Sequence, residues 1–226
     1  MRSIITRGFN SLARLLNKTQ VVPDRIYVKA YKDYDKFDKS ARSTDALIST
    51  MNRGLGILDD LGVSYSVGRG TILGYHRDGK FLPGEIDIDI DIFGDDKVYE
   101  IIQKMPFEIF LISQSDGRYQ QLAFLDPETN VIFDIWFYRL VNDKYVNRNV
   151  YGVFRLPKQN VEDLSTLSIE GKDYTSLEPE WFCEYWYGKN WKTPQSYGKD
   201  WFIDYKRDCS GFNYMGSLNV QYYNFF

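Results

Sequence analysis

Histidine and cysteine are scarce in this sequence, and long apolar runs are absent from it. One histidine and two cysteines among 226 residues leave too few ligands for a His- or Cys-based metal centre, and a Ser-His-Asp triad would have to use His76. Cys183 and Cys209 lack metal-type spacing and are consistent with one bridge or two free thiols. Because no run of 18 apolar residues and no signal-peptide pattern occurs, we predict a cytoplasmic protein.

An excess of positive charge is also missing. The net charge is −3 and the isoelectric point is near 5.3, which argues against nucleic acid as a partner, since that function requires a basic patch. Aromatic residues make up 17% of the chain. They indicate either sugar-stacking surfaces or a tyrosine-rich core.

The first twenty residues contain no acid and carry basic residues among apolar ones at helical spacing. The apolar positions are Ile5, Phe9, Leu12 and Leu16. Such a basic amphipathic helix either makes peripheral contact with an anionic membrane surface or packs on the body of the protein. We therefore divide the chain into an N-terminal helix over 1–22 and a single catalytic domain over 23–226.

A row of acids, Asp87, Asp89 and Asp91, alternates with isoleucines. Period-two alternation predicts a strand with all three carboxylates on one face, spaced about 7 Å apart. At an effective dielectric constant near 20, each neighbouring pair would repel by about 2 kcal/mol. Divalent metal ions are the usual chemical reason for such a row.

A glycine-rich turn precedes the acid row. A short strand over 63–67 leads to Gly68, Gly70 and Thr71, and an apolar segment follows. A strand, turn and helix start of this kind exposes N–H groups and a positive dipole end that suit a phosphate. Arg69, Arg77 and Lys80 add positive charge around the turn. The combination with the acids predicts metal-assisted phosphoryl or nucleotidyl chemistry.

These segments resemble the signature of the LicD family, which includes fukutin and fukutin-related protein. The family pattern runs G-T-L-L-G-x-x-R, a short link, then G-F-[IL]-P-W-D-D-D-[IL]-D. The chain matches it with Gly70-Thr-Ile-Leu-Gly-Tyr-His-Arg77, Gly79-Lys-Phe-Leu-Pro83 and Asp87-Ile-Asp89. It departs from the pattern at Gly84, which replaces a tryptophan, and at Glu85-Ile86, which replaces two acids.

Two downstream segments extend the resemblance. Phe133-Asp-Ile-Trp136 fits the family's third-acid strand, so the resemblance implies that Asp134 completes the metal site. From the residues alone, Asp134 could equally point outward from its strand. Tyr187-Gly-Lys-Asn-Trp-Lys-Thr-Pro194 resembles a second family signature, Y-G-x-x-[WF]-x-x-P.

Helical spacing and turn sequences predict the other elements. We expect a helix from Ser43 to Gly62, a helix ending near Met105, a hairpin of 118–125 with 131–137, and a helix over 179–186. The segment 138–178 could finish the sheet or form a small β appendage.

The resemblance implies an α/β (α+β) fold with a nucleotidyltransferase-like mixed sheet flanked by helices. Mg²⁺ or Mn²⁺ would be held by Asp87, Asp89 and Asp134. The donor phosphates would contact Gly70, Thr71, His76, Arg77 and Lys80. The donor would be a CDP-linked choline or alditol, and the acceptor would be a glycan hydroxyl.

Two alternatives stay open. One is transfer of a nucleoside monophosphate from a nucleoside triphosphate to a small acceptor on the same fold. The other is a non-catalytic glycan- or membrane-binding relic, which the departures at 84–86 favour and the retained acids oppose. A DxD glycosyltransferase is disfavoured because it has no use for the Gly-Thr turn and the third acid.

Overall fold

The structure is a computed structural model that describes residues 25–30, 37–94, 96–115, 117–149, 152–195, 212–213 and 219–224. The predicted N-terminal helix over 1–22, its contact with a membrane, and Cys209 lie outside these residues. Cys183 is a buried free thiol. None of the helices in the described ranges has both the length and the apolar character needed to cross a bilayer.

The described residues form five helices and twelve strands. The helices are α1 (Thr44–Asp60), α2 (Arg69–Asp78), α3 (Val98–Lys104), α4 (Lys158–Glu162) and α5 (Pro179–Tyr187). The strands are β1 (Arg25–Ala30), β2 (Tyr65–Val67), β3 (Asp87–Phe93), β4 (Glu108–Ser115), β5 (Arg118–Leu125), β6 (Ile132–Val141), β7 (Lys144–Asn149), β8 (Gly152–Pro157), β9 (Ser165–Ile169), β10 (Lys172–Ser176), β11 (Phe212–Asn213) and β12 (Asn219–Asn224).

Nine of these strands form one continuous path in the order β12-β1-β4-β5-β6-β3-β2-β10-β9. The pairs β1/β12, β3/β6 and β2/β10 are parallel, and the other pairs along this path are antiparallel. Strand β7 pairs with the end of β6, and β8 and β11 continue from it. The predicted α+β class, a mixed sheet flanked by helices, is confirmed. The segment 138–178 does both things the sequence allowed, since β9 and β10 extend the sheet while β7 and β8 branch from it.

Strand β3 separates an apolar face of the sheet from an acidic one. Ile88, Ile90 and Ile92 are buried on one face, and burial of each such side chain contributes about 1.5–3 kcal/mol. Helix α1 contacts β3 and β6 on this face, where Gly54 lies under the ring of Phe133. The acids of β3 therefore face the opposite side.

The predicted helices and hairpin are confirmed with small shifts at their ends. Ser43 caps α1 by accepting a hydrogen bond from the N–H of Ala46. The β5–β6 turn is fixed to α1, because the buried carboxylate of Asp126 accepts a hydrogen bond from Thr50 at 2.6 Å and forms an ion pair with Arg53. This attachment holds β6 in place under α1.

Helix α2 packs closely against the segment 79–86, which connects it to β3. This close packing explains why the G-T-I-L-G segment ends in a glycine, Gly74. A Cβ added at Gly74 would lie 2.5 Å from the backbone oxygen of Lys80 and 3.1 Å from the backbone N of Leu82. Backbone atoms at such distances cannot yield as a flexible side chain would. Gly74 therefore sets the approach of the link that carries the chain from α2 into β3.

We predict that Gly74→Ala lowers the free energy of unfolding by about 1–3 kcal/mol, because the new methyl group overpacks this contact. The matched control is Gly56→Ala on the exposed side of α1, where an added Cβ meets no atom within 4 Å. That variant should be unchanged or more stable by up to about 1 kcal/mol. Chemical denaturation of both variants measures the difference. A Gly74→Ala protein as stable as the wild type would contradict the packing argument.

Candidate active site

Two parallel neighbouring strands bring three carboxylates together. Asp87 and Asp89 alternate along β3, and the parallel register places Asp134 of β6 directly beside Asp89. One carboxylate oxygen from each of the three lies within 4.8 Å of the others. The predicted convergence of Asp87, Asp89 and Asp134 is present in the structure.

Asp134 is oriented by two neutral donors. Gln121, on β5, donates from Nε2 to both carboxylate oxygens at 3.0 and 2.7 Å. The indole N–H of Trp136 donates to Oδ2 at 3.0 Å. Partners of this kind fix the rotation of a metal-binding carboxylate and are a regular part of metal sites.

Arg69 supplies the positive charge beside the acid row. It is the first residue of α2, is only 7% exposed, and its Nη1 lies 2.9 Å from Oδ1 of Asp91 and 3.5 Å from Oδ1 of Asp89. Its Nη2 donates to the hydroxyl of Tyr138 at 3.2 Å. The sequence shows Arg69 only as one of several cations near the turn. The row of acids, which requires a nearby cation, was the signal that could have singled it out.

An aromatic wall encloses the guanidinium. Its carbon atom lies 3.8 Å from the ring centre of Trp136 and 5.4 Å from that of Trp186. Phe154 stacks on Trp186 and meets Trp136 edge-on. Helix α5 and strand β8 therefore cover the acidic face of the sheet at this point, and desolvation strengthens the cation–π contact.

Glu85 adds a fourth carboxyl group to the cluster. A Cβ added at Gly70 would lie 3.2 Å from both oxygens of Glu85, so this side chain sits against the glycine turn. Burial, followed by repulsion from Asp87 and Asp89, raises the pKa of Glu85. The position that departs from the LicD pattern is therefore a structural part of the cluster.

Burial raises the pKa values of the three converging acids. Burial is the largest cause for Asp87, Asp89 and Asp134, and repulsion from Asp89 adds to it for the other two. Burial raises the pKa of Asp91 to about 6, although Arg69 opposes the shift. One guanidinium thus faces more carboxylates than it can neutralise.

The donor set fits a hard divalent cation. The converging ligands are all carboxylate oxygens, which Mg²⁺ and Mn²⁺ prefer over nitrogen and sulfur ligands. Asp89 keeps 17% of its side chain exposed, so the cluster is open to a ligand. A cation bound here would offset the repulsion between the carboxylates, which contributes to the raised pKa values of Asp87 and Asp134. Asp91, on the same face of β3, is fully buried and pairs with Arg69.

The remaining predicted phosphate ligands lie farther along α2. His76 stacks on Trp191 with ring centres 5.2 Å apart and contacts Glu180 at 3.0 Å. Arg77 pairs with Asp78 at 2.8 Å and reaches the backbone oxygen of Trp191 at 3.5 Å. Since a helix rises 1.5 Å per residue, Arg77 begins about 12 Å along the axis from Arg69.

The predicted phosphate-binding set is therefore divided in the structure. Gly70 and Thr71 lie in the first turn of α2, next to the cluster, and Thr71 is buried. His76 and Arg77 join α2 to α5 and the segment after it, and Lys80 is exposed beyond the end of α2. Phosphate binding by these five residues stays a prediction.

Comparison with solved structures finds proteins that are partly similar to this chain. The antibiotic-resistance factor ANT(2'')-Ia in solution is 12% identical, over 73% of this chain and 83% of that chain, with a TM-score of 0.41. Its crystal structure with adenylyl-2''-tobramycin covers 73% and 87% at a TM-score of 0.38. The STING-associated CdnE c-di-GMP synthase from Capnocytophaga granulosa is 14% identical over 92% and 71%, with a TM-score of 0.33.

These likenesses are too distant to carry an argument about activity. No family model matches the chain, and no curated protein sequence matches it. Conclusions about function therefore depend on the geometry of the site.

The raised carboxyl pKa values predict an unusual pH dependence of stability without metal. A carboxyl group with a higher pKa in the folded chain than in the unfolded chain binds more protons when folded. The free energy of unfolding should therefore fall as the pH rises from about 5 to about 8, since unfolded carboxyl groups titrate near about 4. Thermal unfolding in EDTA across this range measures the effect.

Added Mg²⁺ or Mn²⁺ should raise the melting temperature more at pH 8 than at pH 5, because the cation replaces the bound protons. Asp87→Asn is the control, and its melting temperature should depend less on pH. A wild-type protein that gains stability with pH in EDTA would contradict the prediction.

Proposed function

We propose that the protein is a metal-dependent transferase that moves a phosphate-containing group from a nucleotide donor to a hydroxyl group of a small acceptor. The convergence of Asp87, Asp89 and Asp134 within 4.8 Å carries this proposal. A carboxylate cluster beside a Gly-rich turn and a helix start suits phosphoryl chemistry, in which positioning and charge neutralisation supply most of the catalysis.

The chain's own residues have distinct roles in this proposal. Asp87, Asp89 and Asp134 hold Mg²⁺ or Mn²⁺, which supplies charge neutralisation on the donor phosphates when bound. Gln121 and Trp136 keep the carboxylate of Asp134 in one orientation. Asp134 also serves as the acceptor of the proton from the attacking hydroxyl group. The positive dipole end of α2 lies beside the cluster and favours the donor phosphates.

Nucleotidyl transfer from a nucleoside triphosphate is the first candidate reaction. It requires the metal-binding acids and the glycine turn, all of which the chain has. It does not require the tryptophan and the acid that the LicD pattern places at positions 84 and 86, where this chain has Gly84 and Ile86. Pyrophosphate is the by-product of this reaction.

Transfer from a CDP-linked choline or alditol to a glycan hydroxyl is the second candidate. The specific observation that favours it is contact between the two LicD-like segments. Trp191 of the second segment stacks on His76 of the first and accepts from Arg77 through its backbone oxygen. Two signatures that are separate in sequence therefore pack together. CMP is the by-product of this reaction.

Product analysis separates the two candidates. The purified protein is incubated with Mn²⁺ and either the four nucleoside triphosphates or CDP-choline, CDP-ribitol and CDP-glycerol, together with a panel of sugars and aminoglycosides. Release of pyrophosphate with a nucleotidylated acceptor supports the first candidate. Release of CMP with a phosphocholine- or phosphoalditol-bearing acceptor supports the second. Absence of both products and of metal binding would favour the non-catalytic alternative.

We predict that Asp87→Ala lowers the transfer rate by more than the 10- to 100-fold that is typical for loss of a residue behind a metal ligand. The reason is that it removes a carboxylate from the cluster itself. Asp60→Ala, at the exposed end of α1, is the matched control and should keep the wild-type rate. Metal-dependent transfer at the wild-type rate in folded Asp87→Ala protein would overturn the assignment.

A further inference from the structure

We propose that Arg69 is a positioning residue of the metal site, which holds the carboxylate of Asp89 in its metal-binding orientation while Asp91 anchors the guanidinium. This inference rests on the proposed function. It assigns different roles to the alternating acids of β3, with Asp87 and Asp89 for the metal and Asp91 for Arg69.

The guanidinium is held from several sides. Asp91, which is fully buried, lies 2.9 Å from Nη1, and the hydroxyl of Tyr138 accepts from Nη2 at 3.2 Å. The face of Trp136 packs on it at 3.8 Å. A cation fixed by an ion pair, a hydrogen bond and an aromatic face has little freedom to follow a moving partner.

Asp89 receives the longer of the two contacts, and this contact is the one with hydrogen-bond geometry. Its Oδ1 lies 3.5 Å from the same Nη1 atom, and its side chain is partly exposed where that of Asp91 is not. A contact to one oxygen restrains rotation of the carboxylate about its Cβ–Cγ bond. Asp89 is therefore the ligand whose orientation depends on a charged group behind it.

The backbone links the same two segments a second time. The N–H of Gly68 donates to the backbone oxygen of Asp89 at 2.9 Å, and an added Cβ at Gly68 would lie 3.3 Å from that oxygen. The next residue, Arg69, has φ of +39°, in the left-handed region that non-glycine residues seldom adopt. Its side-chain contacts hold it in this conformation. The position of the turn before α2 is thus coupled to the position of Asp89.

The sign of the effect on metal affinity tests the inference. If Arg69 acted only through its charge, its removal would strengthen metal binding, because a guanidinium near the site repels a divalent cation. If it positions Asp89, its removal weakens binding. Groups behind a metal ligand typically change affinity by about 10- to 100-fold when they are mutated.

The experiment measures Mn²⁺ binding by calorimetry and by electron paramagnetic resonance, beside circular dichroism to confirm the fold. We expect Arg69→Met to bind Mn²⁺ about 10- to 100-fold more weakly. Arg69→Lys should fall between Arg69→Met and the wild type, since an ammonium group keeps the charge but lacks the second nitrogen that bonds Tyr138 and the planar face that packs on Trp136. Unchanged or tighter binding by Arg69→Met would overturn the inference.

A double variant covers the case in which Arg69→Met fails to fold because Asp91 is left buried without a cation. Arg69→Met with Asp91→Asn removes both charges of the pair. We expect it to fold and still bind Mn²⁺ at least about 10-fold more weakly than the wild type. Wild-type affinity in the double variant would show that Arg69 only balances Asp91, and would overturn the inference.

The two proposals fail in different ways. If the wild type binds no Mn²⁺, both the proposed function and the role of Arg69 are overturned. If the wild type binds Mn²⁺, loses binding in Asp87→Asn and keeps it in the Arg69 variants, only the role of Arg69 is overturned.

Discussion

A fully buried carboxylate at the centre of a sheet requires a cation within reach, and Asp91 has one in Arg69 at 2.9 Å. This requirement determines much of the surrounding architecture. The arginine enters from the start of α2, where the backbone changes from extended at Gly68 to a positive φ at Arg69. Its guanidinium must be shielded, and Trp136 and Trp186 lie against it. Because taking two charges out of water offsets most of their attraction, such a pair specifies an arrangement more than it stabilises the fold.

Among the described residues, the other acids of the cluster have no second cation beside Arg69 at this site. Asp87, Asp89 and Asp134 share one guanidinium with Asp91. Burial raises the pKa values of all three, and repulsion from Asp89 adds to the rise for Asp87 and Asp134. The sheet therefore keeps a concentrated negative charge next to the start of α2. Arg69 covers the row at Asp91, whereas Asp89 stays partly exposed. A site with excess like charge is adapted to a ligand that brings positive charge.

Local patterns were enough to predict the parts of this site, but not the contacts between distant parts. Alternation predicted β3, and the glycine turn predicted the start of α2. The resemblance grouped Asp134 with the acids of β3, and the strand register places it beside Asp89. The acid row indicated that a cation must lie nearby, but the choice of Arg69 over Arg77 and Lys80 depends on tertiary contacts with Trp136 and Tyr138. The position of Glu85 against Gly70 was missed for the same reason. His76 and Arg77 lie near the other end of α2, where they contact Glu180 of α5 and Trp191 after it, and their role in phosphate binding stays a prediction.

The parallel register of β3 and β6 has a consequence for folding. Side chains alternate between the two faces of a sheet. A slip of one residue in this pairing would therefore place Asp134 on the face covered by α1, away from Asp87 and Asp89. The two strands are far apart in the chain, and pairing of this type forms late and slowly. Ligand affinity therefore develops only after the long-range topology is correct. A cation that binds only the cluster with the correct register would stabilise that form over compact misfolded forms by mass action. Bound metal would therefore report that β3 and β6 have paired correctly.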